Sequence, residues 1–129
     1  MAERPLSPHL SIYRFGYTMS LSILHRITGV ALSVALIAGI LWLLAAAGGA
    51  QDYGRALTVL ASWPLKIAFA LALIAQVYHL CNGLRHLAWD AGWGFERAAA
   101  KRSALIVIAA AVVLAAICLY VAFCPAVRS

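Results

Sequence analysis

Residues 27–51 read ITGVALSVALIAGILWLLAAAGGAQ, a run of 25 positions without a charged side chain. Two further uncharged runs occupy residues 67–84 and 103–127. At about 1.5 Å per helical residue, each run can cross a hydrocarbon core of ~30 Å, the middle one only barely. Because backbone amides in lipid must be satisfied within their own segment, these runs predict three transmembrane α-helices. The sequence therefore predicts an all-α integral membrane protein.

The composition and the charge distribution agree with a membrane location. The 129 residues are 65% hydrophobic and 11% charged, and the mean hydropathy is +0.93. The net charge of +6 is not gathered into one basic patch, which argues against nucleic acid as a partner. Seven basic residues precede the first run or surround the second loop, and three lie on the other side. The N-terminus is therefore predicted inside and the C-terminus outside.

The chain is predicted to form one membrane-anchor domain over residues 1–129. Residues 1–20 are expected to be irregular and cytoplasmic, because Pro5 and Pro8 prevent a regular helix there. They carry basic residues and no apolar core of a secretory signal, which favours a bacterial inner-membrane chain or a processed organellar one. A short interfacial helix is expected at about residues 55–62. The transmembrane helices are expected at about 22–47, 64–90 and 103–124.

The second predicted helix contains a histidine at membrane depth. His79 precedes Arg85 by six residues, which places it about 9 Å inside the basic boundary. Such a group is costly unless it is paired, hydrated or bound to something. A neutral histidine that hydrogen-bonds a neighbouring helix is one explanation. Haem is the other: His79, Gly83 and His86 share one stripe, the glycine leaves room for a flat macrocycle, and imidazole is a common axial ligand.

The same stripe limits how a haem could be held. The two axial sites of one iron lie on opposite faces of the ring, so His79 and His86 cannot both ligate it. A six-coordinate haem would need its second ligand from elsewhere. Arg85 and His86 lie nearer the aqueous end and are candidates to face the carboxylates of the macrocycle.

A second polar cluster precedes the first uncharged run. Ser22, His25 and Arg26 are related by three and four residues, so they share one helix surface. A hydroxyl, an imidazole and a guanidinium together suit a quinone oxygen, which accepts protons as it accepts electrons. The alternative needs no ligand: Ser22 caps the helix, Arg26 extends to lipid phosphates, and His25 is interfacial.

Three motifs together resemble a known family. They are RPLSPHLSIYR (4–14), SILHRITG (22–29) and HLCNGLRHLAWD (79–90). In combination with three transmembrane helices they resemble the cytochrome b subunit of succinate dehydrogenase, the large membrane anchor of respiratory complex II. The form of the first motif is closer to alphaproteobacterial and mitochondrial members than to enteric ones. Cys81 and Asn82 are unusual choices near the expected haem face.

The resemblance implies specific roles. His79 would be an axial ligand of haem b, with the other histidine donated by a small membrane anchor subunit. Ser22 and Arg26 would form the ubiquinone pocket, and His25, Arg26 and His86 would lie near the haem edge. Electrons would come from succinate through a flavoprotein subunit and an iron–sulfur subunit. Since this chain holds neither of those centres, no catalytic activity is expected from it alone.

Two other functions remain open from the residues. The anchor of a quinol:fumarate reductase would use the same chemistry in reverse, and residue types do not set the direction. A subunit of a non-redox transporter could also place histidines within helices. A haem absorbance spectrum would separate the redox functions from transport.

Overall fold

A computed structural model describes residues 16–124 of the chain. This range contains no strand and folds into the helices α1 (Tyr17–Ala47), α2 (Ala50–Leu60), α3 (Trp63–Asp90) and α4 (Arg97–Phe123). Helices α1, α3 and α4 are long and apolar enough to cross a membrane. The prediction of an all-α protein with three transmembrane helices is confirmed.

Helix α1 begins earlier than the uncharged run suggested. It starts at Tyr17, after Gly16 in an extended conformation (φ −94°, ψ 147°), rather than near Ser22. The prediction of irregular structure is therefore wrong for residues 17–20, which are helical. The physical reason is that Pro5 and Pro8 lie too far upstream to interrupt a helix at Tyr17. The expectation for residues 1–15, including the first motif, lies outside the described residues.

The connection between α1 and α3 is itself mostly helical. Gly49 has a φ of +104°, which a residue with a side chain rarely adopts, and it reverses the chain between α1 and α2. Helix α2 then begins at Ala50 rather than near residue 55, with Asp52 in its first turn, where a carboxylate favours the helix dipole. None of the α2 residues is buried.

The connection between α3 and α4 is short. It contains Gly92 and Gly94, both with positive φ. Helix α4 begins at Arg97 rather than near residue 103, because the basic residues that precede the uncharged run are themselves helical. An uncharged run marks where lipid begins, whereas a helix continues into the aqueous boundary.

The buried core lies where α3 meets α1 and α4. Ala104, Ala111 and Ala115 on α4 are small and buried, so the α4 backbone can pack closely. The hydroxyl of Tyr78 on α3 donates to the carbonyl of Leu21 on α1 at 2.6 Å. These contacts hold α3 between its two neighbours and thereby determine which α3 residues face α1.

Candidate functional site

The predicted histidines of the two motifs come together between α1 and α3. The rings of His25 and His79 stack, with centroids 3.9 Å apart and planes 10° from parallel. The ring of His86 lies 5.0 Å from that of His25, tilted by 44°. Three imidazoles from two separate motifs therefore form one cluster.

The hydrogen bonds of His79 determine which of its ring nitrogens is available. Its Nδ1 lies 3.2 Å from the carbonyl oxygen of His25 and 3.2 Å from the hydroxyl oxygen of Thr28. A carbonyl oxygen only accepts, so Nδ1 carries the proton in this arrangement and Nε2 keeps its lone pair. His79 therefore makes the hydrogen bond to a neighbouring helix that the explanation without haem predicts. That bond uses only one of the two ring nitrogens of His79.

A glycine on α1 permits this close approach. A Cβ placed on Gly29 would lie 3.1 Å from Cε1 of His79, which is tighter than ordinary contact. The same atom on Gly39 would meet nothing within 4 Å. A Cβ on Gly83, the glycine that the sequence associated with the macrocycle, would lie 3.7 Å from the His25 ring, an ordinary contact. Gly29 is therefore the glycine whose missing side chain matters most here.

Among residues 16–124, one buried side-chain nitrogen of the cluster has no hydrogen-bond partner. It is Nδ1 of His25, which is buried although the residue as a whole is only partly so. Leaving a buried polar atom unpaired costs about 1–3 kcal/mol, which favours a partner from outside the chain. A flat cofactor with acidic substituents fits this position. The free Nε2 of His79, which lies beside it, also suits such a cofactor because it can act as a ligand.

Ser22 and Arg26 lie one turn apart on α1, beside His25. The side chain of Arg26 is exposed and Ser22 is partly buried. Neither makes a side-chain hydrogen bond to another described residue, so their donors are available. The N-cap of α1 is Gly16, so Ser22 does not cap the helix and that part of the alternative interpretation is wrong.

Arg85 does not join the histidine cluster. It is only 5% exposed, and its Nε donates to the Ser103 hydroxyl at 3.0 Å while Nη2 donates to the Ala100 carbonyl at 3.1 Å. Its Cζ lies 4.0 Å from the centre of the Trp89 ring. These contacts fasten α3 to α4. They do not support the expectation that Arg85 faces haem carboxylates.

Sequence reasoning missed the role of Asn82, which links Arg85 to His86. Asn82 is fully buried; its Oδ1 accepts from Arg85 at 3.5 Å and its Nδ2 lies 3.3 Å from Nε2 of His86. The amide orients the His86 ring and occupies its Nε2. The spacing of three and four residues from Asn82 to these partners is the signal that could have found the network.

Comparison with known proteins gives a consistent result. The family described as "Succinate dehydrogenase/Fumarate reductase transmembrane subunit" matches residues 1–118. The chain is 42% identical to the succinate dehydrogenase cytochrome b556 subunit of Paracoccus denitrificans, over 94% of this chain and 93% of that one. It is 40% identical to the b556 subunit of Rickettsia felis (87% of each chain) and 36% identical to the b560 subunit of Marchantia polymorpha (88% and 86%).

These relatives are subunits of an enzyme complex, and those from Paracoccus and Rickettsia are bacterial. Together with the three apolar helices, the match confirms the predicted multi-pass membrane location, consistent with a bacterial inner membrane. It argues against a non-redox transporter subunit. The chain belongs to the family of transmembrane subunits of succinate dehydrogenase and fumarate reductase.

Proposed function

We propose that the chain is the haem b-binding membrane anchor of a succinate:quinone oxidoreductase and forms part of its ubiquinone site. The observation that carries the proposal is His79: within a transmembrane helix, its Nδ1–H bonds to α1 and its Nε2 keeps a lone pair. The names of the relatives, cytochromes b of succinate dehydrogenase, support haem and favour succinate oxidation over fumarate reduction.

In this proposal Nε2 of His79 would hold the iron of haem b, and a small anchor subunit would supply a second histidine. His25, Arg26 and His86 are the residues of this chain that border the cofactor. The unpaired Nδ1 of His25 supports this, because a haem carboxylate would give that atom a partner. When bound, haem supplies a group that takes up and returns one electron at a time.

Ser22 and Arg26 act on the quinone. The Ser22 hydroxyl donates to one quinone oxygen and orients the ring. The Arg26 guanidinium stabilises the negative charge that develops on this oxygen as electrons arrive. Two electrons from succinate, delivered through the flavoprotein and iron–sulfur subunits, and two protons from the cytoplasmic side convert the quinone to the quinol. Both side chains have unused donors in the described structure, which supports this role.

The haem assignment is tested by the absorbance spectrum of the purified complex. His79→Ala should abolish or severely weaken haem retention. His86→Ala, the control within the same stripe, should at most perturb the spectrum, because Asn82 already occupies its Nε2. A normal six-coordinate spectrum in His79→Ala would overturn the ligand assignment.

The quinone assignment is tested with two electron acceptors. Ser22→Ala and Arg26→Leu should lower succinate-driven quinone reduction tenfold or more, since a hydrogen bond to a developing charge is worth about 1.5–3 kcal/mol. Reduction of a soluble dye upstream should stay nearly unchanged. Ser33→Ala is a matched control, because the exposed Ser33 hydroxyl bonds only the Gly29 carbonyl of its own helix. A parallel fall in both activities would assign Ser22 and Arg26 to assembly instead.

A further inference from the structure

Thr28 lies one turn after His25 on the surface of α1 that faces α3, and the function proposed above leaves it unexplained. It is 8% exposed. Its hydroxyl oxygen lies 2.9 Å from the Leu24 carbonyl, 2.9 Å from the His25 carbonyl and 3.2 Å from Nδ1 of His79. The three distances make this hydroxyl a junction between the backbone of α1 and an imidazole of α3.

The direction of each hydrogen bond at this junction follows from the chemistry of the atoms. The two carbonyls have no proton, so the single hydroxyl proton of Thr28 is donated to one of them. The lone pairs of the hydroxyl then remain for the Nδ1–H of His79. A hydroxyl that donates to a carbonyl is also a better acceptor, because hydrogen bonds in a chain polarise one another. Thr28 and the His25 carbonyl therefore share the Nδ1–H of His79.

We propose that Thr28 is a positioning residue for His79, which fixes the orientation of the imidazole and lowers the midpoint potential of the haem. The inference rests on the proposed ligation of haem by His79. An imidazole whose N–H is held by strong acceptors gains electron density at its other nitrogen and is a stronger ligand. A stronger ligand stabilises ferric over ferrous iron, so the potential falls.

The alternative role for Thr28 is only local. Serine and threonine within helices often return their hydroxyl to the carbonyl four residues earlier, and Ser33 and Thr58 do so in this chain on exposed surfaces. Thr28 differs because it is buried and reaches a second helix. A purely local role would leave the properties of the haem unchanged when the hydroxyl is removed.

The test compares Thr28→Val, Thr28→Ala and Thr28→Ser in the intact complex. Valine keeps the shape of threonine without its hydroxyl, alanine removes the hydroxyl without adding volume, and serine retains it. Haem content, the midpoint potential from an optical redox titration and the low-spin ferric EPR spectrum are measured for each. Ser33→Ala serves as the control for loss of a helix hydroxyl elsewhere on α1.

We expect the potential to rise in Thr28→Val and Thr28→Ala, with a changed EPR spectrum, and to stay at the wild-type value in Thr28→Ser and Ser33→Ala. Loss of haem from assembled complexes of both hydroxyl-free variants, with Thr28→Ser normal, would also support the proposal. Wild-type potentials in Thr28→Val and Thr28→Ala would overturn it, as would a failure of both to assemble when Thr28→Ser assembles, which would make the hydroxyl a folding element. A wild-type complex without haem would instead refute the proposed function itself.

Discussion

Replacing Gly29 with alanine tests whether the close approach of α1 to His79 is needed for the site. The new Cβ would lie 3.1 Å from Cε1 of His79. Carbon atoms attract best at about 3.5–4.0 Å, so the ring must move away by about 0.4 Å. Since Nδ1 of His79 is already 3.2 Å from its two acceptors, such a movement would lengthen these distances to as much as ~3.6 Å, beyond hydrogen-bonding range.

The size of the effect follows from two opposing contributions. Overpacking by one methyl group typically costs about 1–3 kcal/mol. Exchanging glycine for alanine inside a helix gains about 1 kcal/mol. Gly39→Ala is the matched control: it makes the same exchange in the same helix, and its Cβ meets nothing within 4 Å. The difference between the two variants thus isolates the steric contribution.

The assay is haem content per complex together with thermal unfolding in detergent. If the steric strain acts on the orientation of His79, Gly29→Ala should bind haem roughly five- to 150-fold more weakly than Gly39→Ala. It should also unfold at a lower temperature, whereas Gly39→Ala should match or exceed the wild type. Equal haem content and equal unfolding temperatures in the two alanine variants would refute the reasoning that Gly29 is required by His79.

Three other predictions concern the frame around the site. Arg85→Lys should lower the free energy of unfolding by about 1–3 kcal/mol, because lysine cannot reproduce the planar set of donors, and a wild-type unfolding temperature would contradict this. Tyr78→Phe removes the 2.6 Å hydrogen bond to the Leu21 carbonyl and should lower the free energy of unfolding by about 0.5–1.5 kcal/mol. An unchanged unfolding temperature would show that this bond does not stabilise the fold. A reporter active only in the periplasm should be active after Ser129 and silent near Glu96; the reverse pattern would disprove the predicted orientation.

The transmembrane helices could be predicted because exclusion of charge from lipid is a local property of the sequence. Their ends could not be predicted in the same way. Helix α1 starts at Tyr17 and α4 at Arg97, in both cases within sequence that carries charge close by. A helix ends where its backbone hydrogen bonds are interrupted, often at proline or glycine. An uncharged run ends where charged residues begin, at the edge of the membrane. The two boundaries differ most where no proline or glycine stands at the edge of the lipid.

The candidate site was predictable in its residue types and less so in its contacts. His79 stands out because a titratable group at membrane depth needs a reason, and His25 because it shares one helix surface with Ser22 and Arg26. The contacts that the side chains of Arg85 and Thr28 make depend instead on which face of each helix packs against which neighbouring helix. Small residues on α4 bring it against the Arg85 side of α3, and Gly29 brings α1 against the His79 side. Such packing is not contained in the spacing of a single motif.

The distribution of hydrogen bonds separates the supporting residues from those proposed to bind ligands. Arg85 is a buried cation with no acidic partner among residues 16–124, yet each of its three guanidinium nitrogens has an acceptor on α4 or in Asn82. A guanidinium that is buried and bonded through all three nitrogens is best explained as a link between helices. On the α1 side, by contrast, Nδ1 of His25 lacks a partner and Nε2 of His79 keeps its lone pair. Because unpaired polar groups are costly in a membrane, their concentration on this one side of α3 is the strongest physical reason to expect a ligand there.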